Sequence, residues 1–155
     1  VGIFSIYAAK KYRSPVVAFE PDPVAWKVLG QNLMSNQAWS VMRHPYAIWA
    51  YDGALDLHIQ GELGDSMTGV SRGGEAVTVA AMAVPTARLL CPDDIALTKV
   101  DVEGAESTIY TDLLECFGTP LAIAWHDHEA GMAAPFPAKY QTGNFNTPYP
   151  QYLLP

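Results

Sequence analysis

Ala96-Leu97-Thr98-Lys99-Val100-Asp101-Val102-Glu103-Gly104-Ala105-Glu106 is the stretch on which the fold turns. Ile95 to Val102 is apolar and β-branched enough for a buried strand, and from Gly104 onward apolar residues at 105, 109, 113 and 117 fall at helical spacing. A strand therefore ends and a helix begins within a few residues. Asp101, Glu103 and Glu106 stand at that junction, where an open α/β sheet places its ligands, in the crevice beyond the carboxyl ends of its strands. The same arrangement occurs earlier. Val16-Val17-Ala18-Phe19 ends in Glu20, after which Pro21, Asp22 and Pro23 stop the strand and Ala25, Leu29 and Leu33 start a helical stripe. Two acid-bearing strand ends predict one cleft.

Composition narrows the classes. The 155 residues suit about one domain, and 50% hydrophobic residues suffice for a core. A formal charge of -7, from 9 Lys and Arg against 16 Asp and Glu, argues against nucleic acid or an anionic membrane as partner, since both need a basic surface. Cys91 and Cys116 are too few and too far apart for a disulfide framework or a zinc motif, which makes a reducing compartment the default. No stretch reaches the roughly 20 apolar residues of a membrane span, and no basic flank leads into an apolar signal core. A cytoplasmic protein is the expectation. The chain opens on Val1 in what reads as a helix already under way, so a segment upstream is expected.

The rest of the chain reads as alternating strands and helices with one interruption. Gly2 to about Tyr12 is a helix ended by Lys10, Lys11 and Arg13, and Pro23 to Ser35 is a second, stopped by Asn36. Trp39 to Ala50 is extended but broken at Pro45. Asp52-Gly53, between Ile48-Trp49-Ala50-Tyr51 and Ala54 to Ile59, predicts an inserted β-hairpin. Gly61 to Gly74, with five glycines, reads as a loop able to cover the cleft. Val77 to Ala81 is a strand, Pro85 to Leu90 a single helical turn, and Leu121 to Trp125 a last strand. Beyond His126, prolines at 135, 137, 148, 150 and 155 with Gly, Asn and Tyr leave no periodicity, which predicts an extended tail packed through its aromatics. The division is a domain over 1–128 and a Pro-rich extended tail over 129–155.

Strand, acid, helix is the layout of nucleoside-binding α/β domains, in which a carboxylate at the end of the second strand takes the ribose hydroxyls. Glu20 lies near the separation of about 20 residues expected from a glycine-rich first turn ending at Gly2. Val-Gly-Ile-Phe-Ser (1–5), Val-Val-Ala-Phe-Glu-Pro-Asp-Pro (16–23), Asn32-Leu33, Gly64-Asp65-Ser66 and Lys-Val-Asp-Val-Glu-Gly-Ala-Glu (99–106) resemble, in order and spacing, the FkbM family of S-adenosylmethionine-dependent methyltransferases.

That resemblance, over about Val1 to Trp125, implies a Rossmann-like class I methyltransferase fold with a mostly parallel sheet. It also implies S-adenosylmethionine as cofactor and O-methylation of a hydroxyl on a sugar or other small metabolite. Residue by residue it implies that Gly2 ends the cofactor loop and that Glu20, with Pro21 beside it, binds the ribose. Asp101, Glu103 and Glu106 would form the fourth-strand motif beside the methyl group, with Asp65 and Ser66 on the cofactor side. The family's Asp-x-Gly-Ala-Asn-x-Gly loop is represented by its last glycine alone, so the domain is expected to be N-terminally truncated. Its sheet should then have a gap between the second and fourth strands and a tendency to self-association. The family continues past the fifth strand with further sheet, where this chain turns Pro-rich.

The chemistry agrees. A sulfonium cation is matched by Glu20, Asp101 and Glu103, whereas a dinucleotide pyrophosphate would be repelled, which disfavours an NAD-dependent oxidoreductase. A hydroxyl acceptor needs a base, for which Asp101 and His126 are the candidates. His126-Asp127-His128-Glu129 also invites a metal reading, which a solvated polar loop explains equally well; no metal is expected. Lys99 is expected half-buried against an acid, His44 and His58 structural, and Trp26, Trp39, Trp49 and Trp125 mostly core, with Trp125 nearest a ligand. A scaffold module that kept the fold without catalysis is the rival reading.

Overall fold

Val16-Val17-Ala18-Phe19 has no polar residue to turn to water and forms β1 (Val16–Phe19), parallel to β2 (Val41–His44) with Val16 opposite Val41. The computed structural model describes residues 1–59, 66–68, 75–102, 104–118, 120–126, 134–136, 138–142 and 151–155. Two helices accompany this pair, α1 (Ile3–Tyr12) and α2 (Pro23–Ser35). Helix α2 has the bounds its sequence predicts because both ends are capped. Asp22 accepts from the backbone N–H groups of Val24 (2.7 Å) and Ala25 (3.2 Å), Pro23 fills the first position, and Asn36 Nδ2 donates to the Asn32 carbonyl at 2.9 Å. Its stripe of Ala25, Leu29 and Leu33 is buried, and Leu29 and Leu33 share a core with Ala9, Ala38 and Val41.

The second unit holds the motif strand. Strand β7 (Thr98–Val100) runs parallel to β8 (Leu121–Ala124), and α4 (Glu106–Phe117) connects them. Leu121, Ile123, Trp125, Ile109, Leu113 and Val100 form its core. The segment expected as an extended tail packed through its aromatics adds strands to this sheet. β10 (Gln151–Leu154) lies antiparallel on β8, with Gln151 opposite Ala124, and carries β9 (Gln141–Thr142) on its far side. Leu154 is buried in the same core, and Phe136, Tyr140 and Tyr152 pack against it. Aromatic burial therefore continues the sheet where proline content suggested that regular structure stops.

A third sheet has the order β3-β6-β4-β5, from β3 (Ala47–Trp49), β4 (Gly53–Ile59), β5 (Ser66–Thr68) and β6 (Glu75–Ala83). The Asp52-Gly53 hairpin does not form. β3 pairs in parallel with β6, which separates it from β4, and β4 is antiparallel to both β6 and β5. Asp52 instead accepts from Ala83 N (2.9 Å) and Thr86 Oγ1 (2.8 Å), at the start of α3 (Val84–Arg88). Ser66–Thr68 is likewise strand, within what reads as loop.

Three of the seven pairings among the described strands are parallel and four antiparallel, so the protein is α/β with open, partly parallel sheets rather than a mostly parallel one. Among the described residues no helix is long and apolar enough to cross a membrane.

Candidate functional site

Parallel pairing of β7 with β8 brings the carboxyl ends of both strands to one side, and it is there that Asp101 and His126 emerge. His126 is only 4% exposed, and its Nδ1 lies 2.7 Å from Oε1 of Glu106, whose side chain is fully buried. Its Nε2 lies 3.6 Å from Oδ1 of Asp101, whose side chain is 43% exposed. Lys99, one strand position before the end of β7, puts Nζ 2.6 Å from the other Asp101 oxygen, Oδ2. The four side chains form a line from the surface inward, cation, carboxylate, imidazole, carboxylate.

Local backbone explains why Glu106 is where it is. Gly104 has φ 94°, a left-handed conformation that glycine adopts freely, and its N–H donates to Glu106 Oε2 at 3.1 Å. The carboxylate thus closes the turn between β7 and α4 with one oxygen and meets the imidazole with the other. An acid buried without such partners would be expensive. The sequence places Glu106 beside Asp101, but its pairing with His126, twenty residues on, is visible only in the fold.

The other strand end is built alike. Glu20 continues the β1 ladder by one bond, its N–H to the His44 carbonyl at 3.0 Å, and its Oε1 accepts from Asp22 N at 3.1 Å. Burial raises the Glu20 carboxyl above its ordinary value; the Asp22 N–H opposes that, the Asp22 charge adds to it, and the amino terminus again opposes it. Gly2 precedes α1 with φ 79°, and a Cβ there would lie 2.4 Å from Leu29 Cδ1, so no side chain fits at this approach to α2. Two residues on, the Phe4 ring lies 5.8 Å from Lys99 Nζ, which connects the start of α1 to the Asp101 group.

The remaining candidates separate. Pro21 lies between Glu20 and the Asp22 cap. Ser66 is in β5, on the outside of the third sheet, while Asp65 and Glu103 fall outside the described residues, as do Asp127, His128 and Glu129 of the metal reading. Among the described residues no three His, Cys, Asp or Glu side chains converge as metal ligands would. Lys99 pairs with an acid as expected. Trp125 is core, edge-on to Tyr110 and Phe136 and 1% exposed, whereas Trp39, expected in the core, is 73% exposed. His44 stacks on Phe19 at 5.4 Å. Asp22, buried as a helix cap, is the residue sequence reading passed over, although Asp before Pro at a helix start signals it. Cys91 and Cys116 are free thiols, both pushed up by burial and therefore poor nucleophiles.

A hollow of about 620 Å³ lies beside α1, lined by Val1, Ile6, Tyr7, Lys10 and Asn32 among others. Among its lining residues are none of the acids at the strand ends. Comparison with protein-family models, with curated proteins and with solved structures yields no match.

Proposed function

We propose that the chain is the catalytic domain of an S-adenosylmethionine-dependent methyltransferase acting on a hydroxyl group of a sugar or other small metabolite. The observation that carries the reading is the line Asp101, His126, Glu106 at the carboxyl ends of β7 and β8, an acid and an imidazole where a methyl acceptor needs its proton removed. Glu20 supports it from the end of β1, as a half-buried carboxylate that a hydrogen-bonded ligand such as a ribose diol would suit.

The residues present fit the cofactor by charge, while the close approach at Gly2 is to the chain's own Leu29. The acids at the strand ends outnumber the single lysine among them, which suits a sulfonium and opposes a pyrophosphate. Glu20 would hold the ribose, Asp101 would face the cationic end, and Gly2 would line the approach. When bound, the cofactor supplies a methyl group whose carbon–sulfur electron pair stays on sulfur. Positioning of the acceptor oxygen can account for roughly 7 to 11 kcal/mol of the barrier.

The test is calorimetric titration of S-adenosylmethionine and S-adenosylhomocysteine. Both go into this chain and into a form extended upstream to supply the rest of the expected Asp-x-Gly-Ala-Asn-x-Gly loop, each with and without Glu20→Ala. Binding that Glu20→Ala weakens by about tenfold or more supports the reading. Absence of binding in both forms overturns it.

A further inference from the structure

We infer that a hollow on the solvent face of the third sheet binds a small organic ammonium ion, through the rings of Trp49 and Tyr51 and the lone pairs of Asp56 and Thr78. The inference is independent of the methyltransferase reading, since none of the acids at the ends of β1 and β7 lines this hollow. Strand alternation builds it. Leu57 of β4 is 1% exposed and packs with Val79 and Ala47, so its neighbours Asp56 and His58 turn to the opposite face. Register sets Asp56 opposite Thr78 of β6, and Ala54, two positions back, is too small to fill the space beside the acid. Trp49, at the end of β3, and Tyr51, in the bend that follows, wall the hollow with rings 6.5 Å apart and inclined at 89°. Asp56, Thr78 and Tyr51 are exposed, and Trp49 and His58 are half-buried. The volume is about 400 Å³, within the roughly 300–1,000 Å³ of small-molecule sites.

Hydrogen bonding selects the ligand. Thr78 Oγ1 lies 2.8 Å from Asp56 Oδ1, and an ionised carboxylate has no proton to give, so the hydroxyl donates. A threonine hydroxyl carries one proton. With that proton directed to Asp56, Thr78 offers a ligand only lone pairs, as the carboxylate does. Among the described residues Asp56 Oδ2 has no partner of its own. Aromatic ring faces are electron-rich and attract a cation. Among the described residues no Lys or Arg lines the hollow, and the chain carries a formal charge of -7. Acceptors, ring faces and negative charge together suit a ligand that brings N–H donors and positive charge on an alkyl stem. The ammonium protons then go to Asp56 Oδ2 and Thr78 Oγ1, with the carbons next to nitrogen against Trp49 and Tyr51. A phosphate or carboxylate would be repelled, and a neutral sugar would draw nothing from the charge.

The probe is n-butylammonium chloride, titrated into the whole chain against sodium chloride of equal strength. The readout is the indole N–H resonance of Trp49, identified among the four tryptophans by its loss in Trp49→Phe. Mildly alkaline buffer is used, in which an ordinary imidazole is uncharged and does not compete. The expected result is a saturable shift of that resonance, absent with 1-butanol and weakened as salt is raised. In Asp56→Asn, which keeps an acceptor for the Thr78 hydroxyl and removes the charge, affinity should fall about fivefold. Equal shifts with 1-butanol would mean an apolar hollow, and saturation by methyl glucoside but not by the ammonium would mean a saccharide site. An unmoved Trp49 resonance would mean a solvated sheet face. Each of these overturns the assignment, as does an affinity unaltered by Asp56→Asn. Should that variant fail to fold, the comparison of ammonium with 1-butanol in the unsubstituted chain, and its salt dependence, decide.

Discussion

The Arg43 guanidinium lies 4.0 Å above the ring centre of Trp26 and donates Nη1 to the Trp26 carbonyl at 2.7 Å, so one side chain ties β2 to α2 twice. Gly30, one turn on, leaves the space: a Cβ there would lie 2.7 Å from the Arg43 Nη1. Alanine for glycine inside a helix ordinarily gains about 0.5–1 kcal/mol. Here it displaces a charged donor whose loss costs about 1–3 kcal/mol, so Gly30→Ala is expected to destabilise. In an Arg43→Ala background the same substitution should stabilise. A urea-denaturation double-mutant cycle reads the change of sign, and simple additivity would show that Arg43 does not fill this space.

Asp52 holds the start of α3 by accepting from Ala83 N and Thr86 Oγ1. Asp52→Ala removes both acceptors and should cost about 1–2 kcal/mol, while Thr86→Ala removes one and should cost less, about 0.5–1 kcal/mol. Both are read as shifts of the urea midpoint at constant slope. Equal losses would mean that the backbone contact at Ala83 carries nothing.

The same aspartate shows where the sequence misleads. Asp52-Gly53 is local turn chemistry, and it is outweighed by a long-range choice, the parallel seat of β3 on β6, which no local signal encodes. Likewise β10 is drawn onto β8 by burial of Leu154 and the tail aromatics, a benefit invisible to a periodicity search over four residues. What was legible was local. Helix α2 lies between a cap and a stop written in consecutive residues, and Glu20 and Asp101 end strands because polar residues follow apolar runs. Of the candidate site, the carboxylates were legible and their partners were not, since Glu106 meets His126 through β7–β8 pairing.

Glu20 gives a pH signature. Burial raises its folded-state value, so the folded chain holds the proton more tightly than the unfolded chain. The resulting stability is present below the unfolded value and is lost as pH rises through the folded one. Glu20→Gln keeps an acceptor for the Asp22 N–H and removes the ionisation. The variant should therefore gain in Tm relative to the parent as pH rises above the carboxylate range, while losing affinity for any diol ligand. Parallel Tm-versus-pH curves for the two proteins would show that the carboxyl is not held in this way.

Among the described strands, those that end each sheet have one neighbour. Among the described strands β1 pairs only with β2 and β7 only with β8, and Val16, Val17, Ala18 and Phe19 of β1 are half-buried although all apolar. Nearby, α1 exposes Ile3 at 79% and Tyr12 at 66%. An apolar, unpaired edge is a template for pairing with another chain, and a lysine on such an edge is the usual block. In size-exclusion chromatography with light scattering, the chain should run as a dimer or larger species. Val17→Lys, in the middle of β1, should shift it toward monomer while leaving the far-ultraviolet circular dichroism unchanged. If the parent chain is a stable monomer across concentration, the β1 edge is not a pairing surface. If Val17→Lys leaves the oligomer intact, association runs through the exposed face of α1, and Ile3→Glu is then the substitution that should dissolve it.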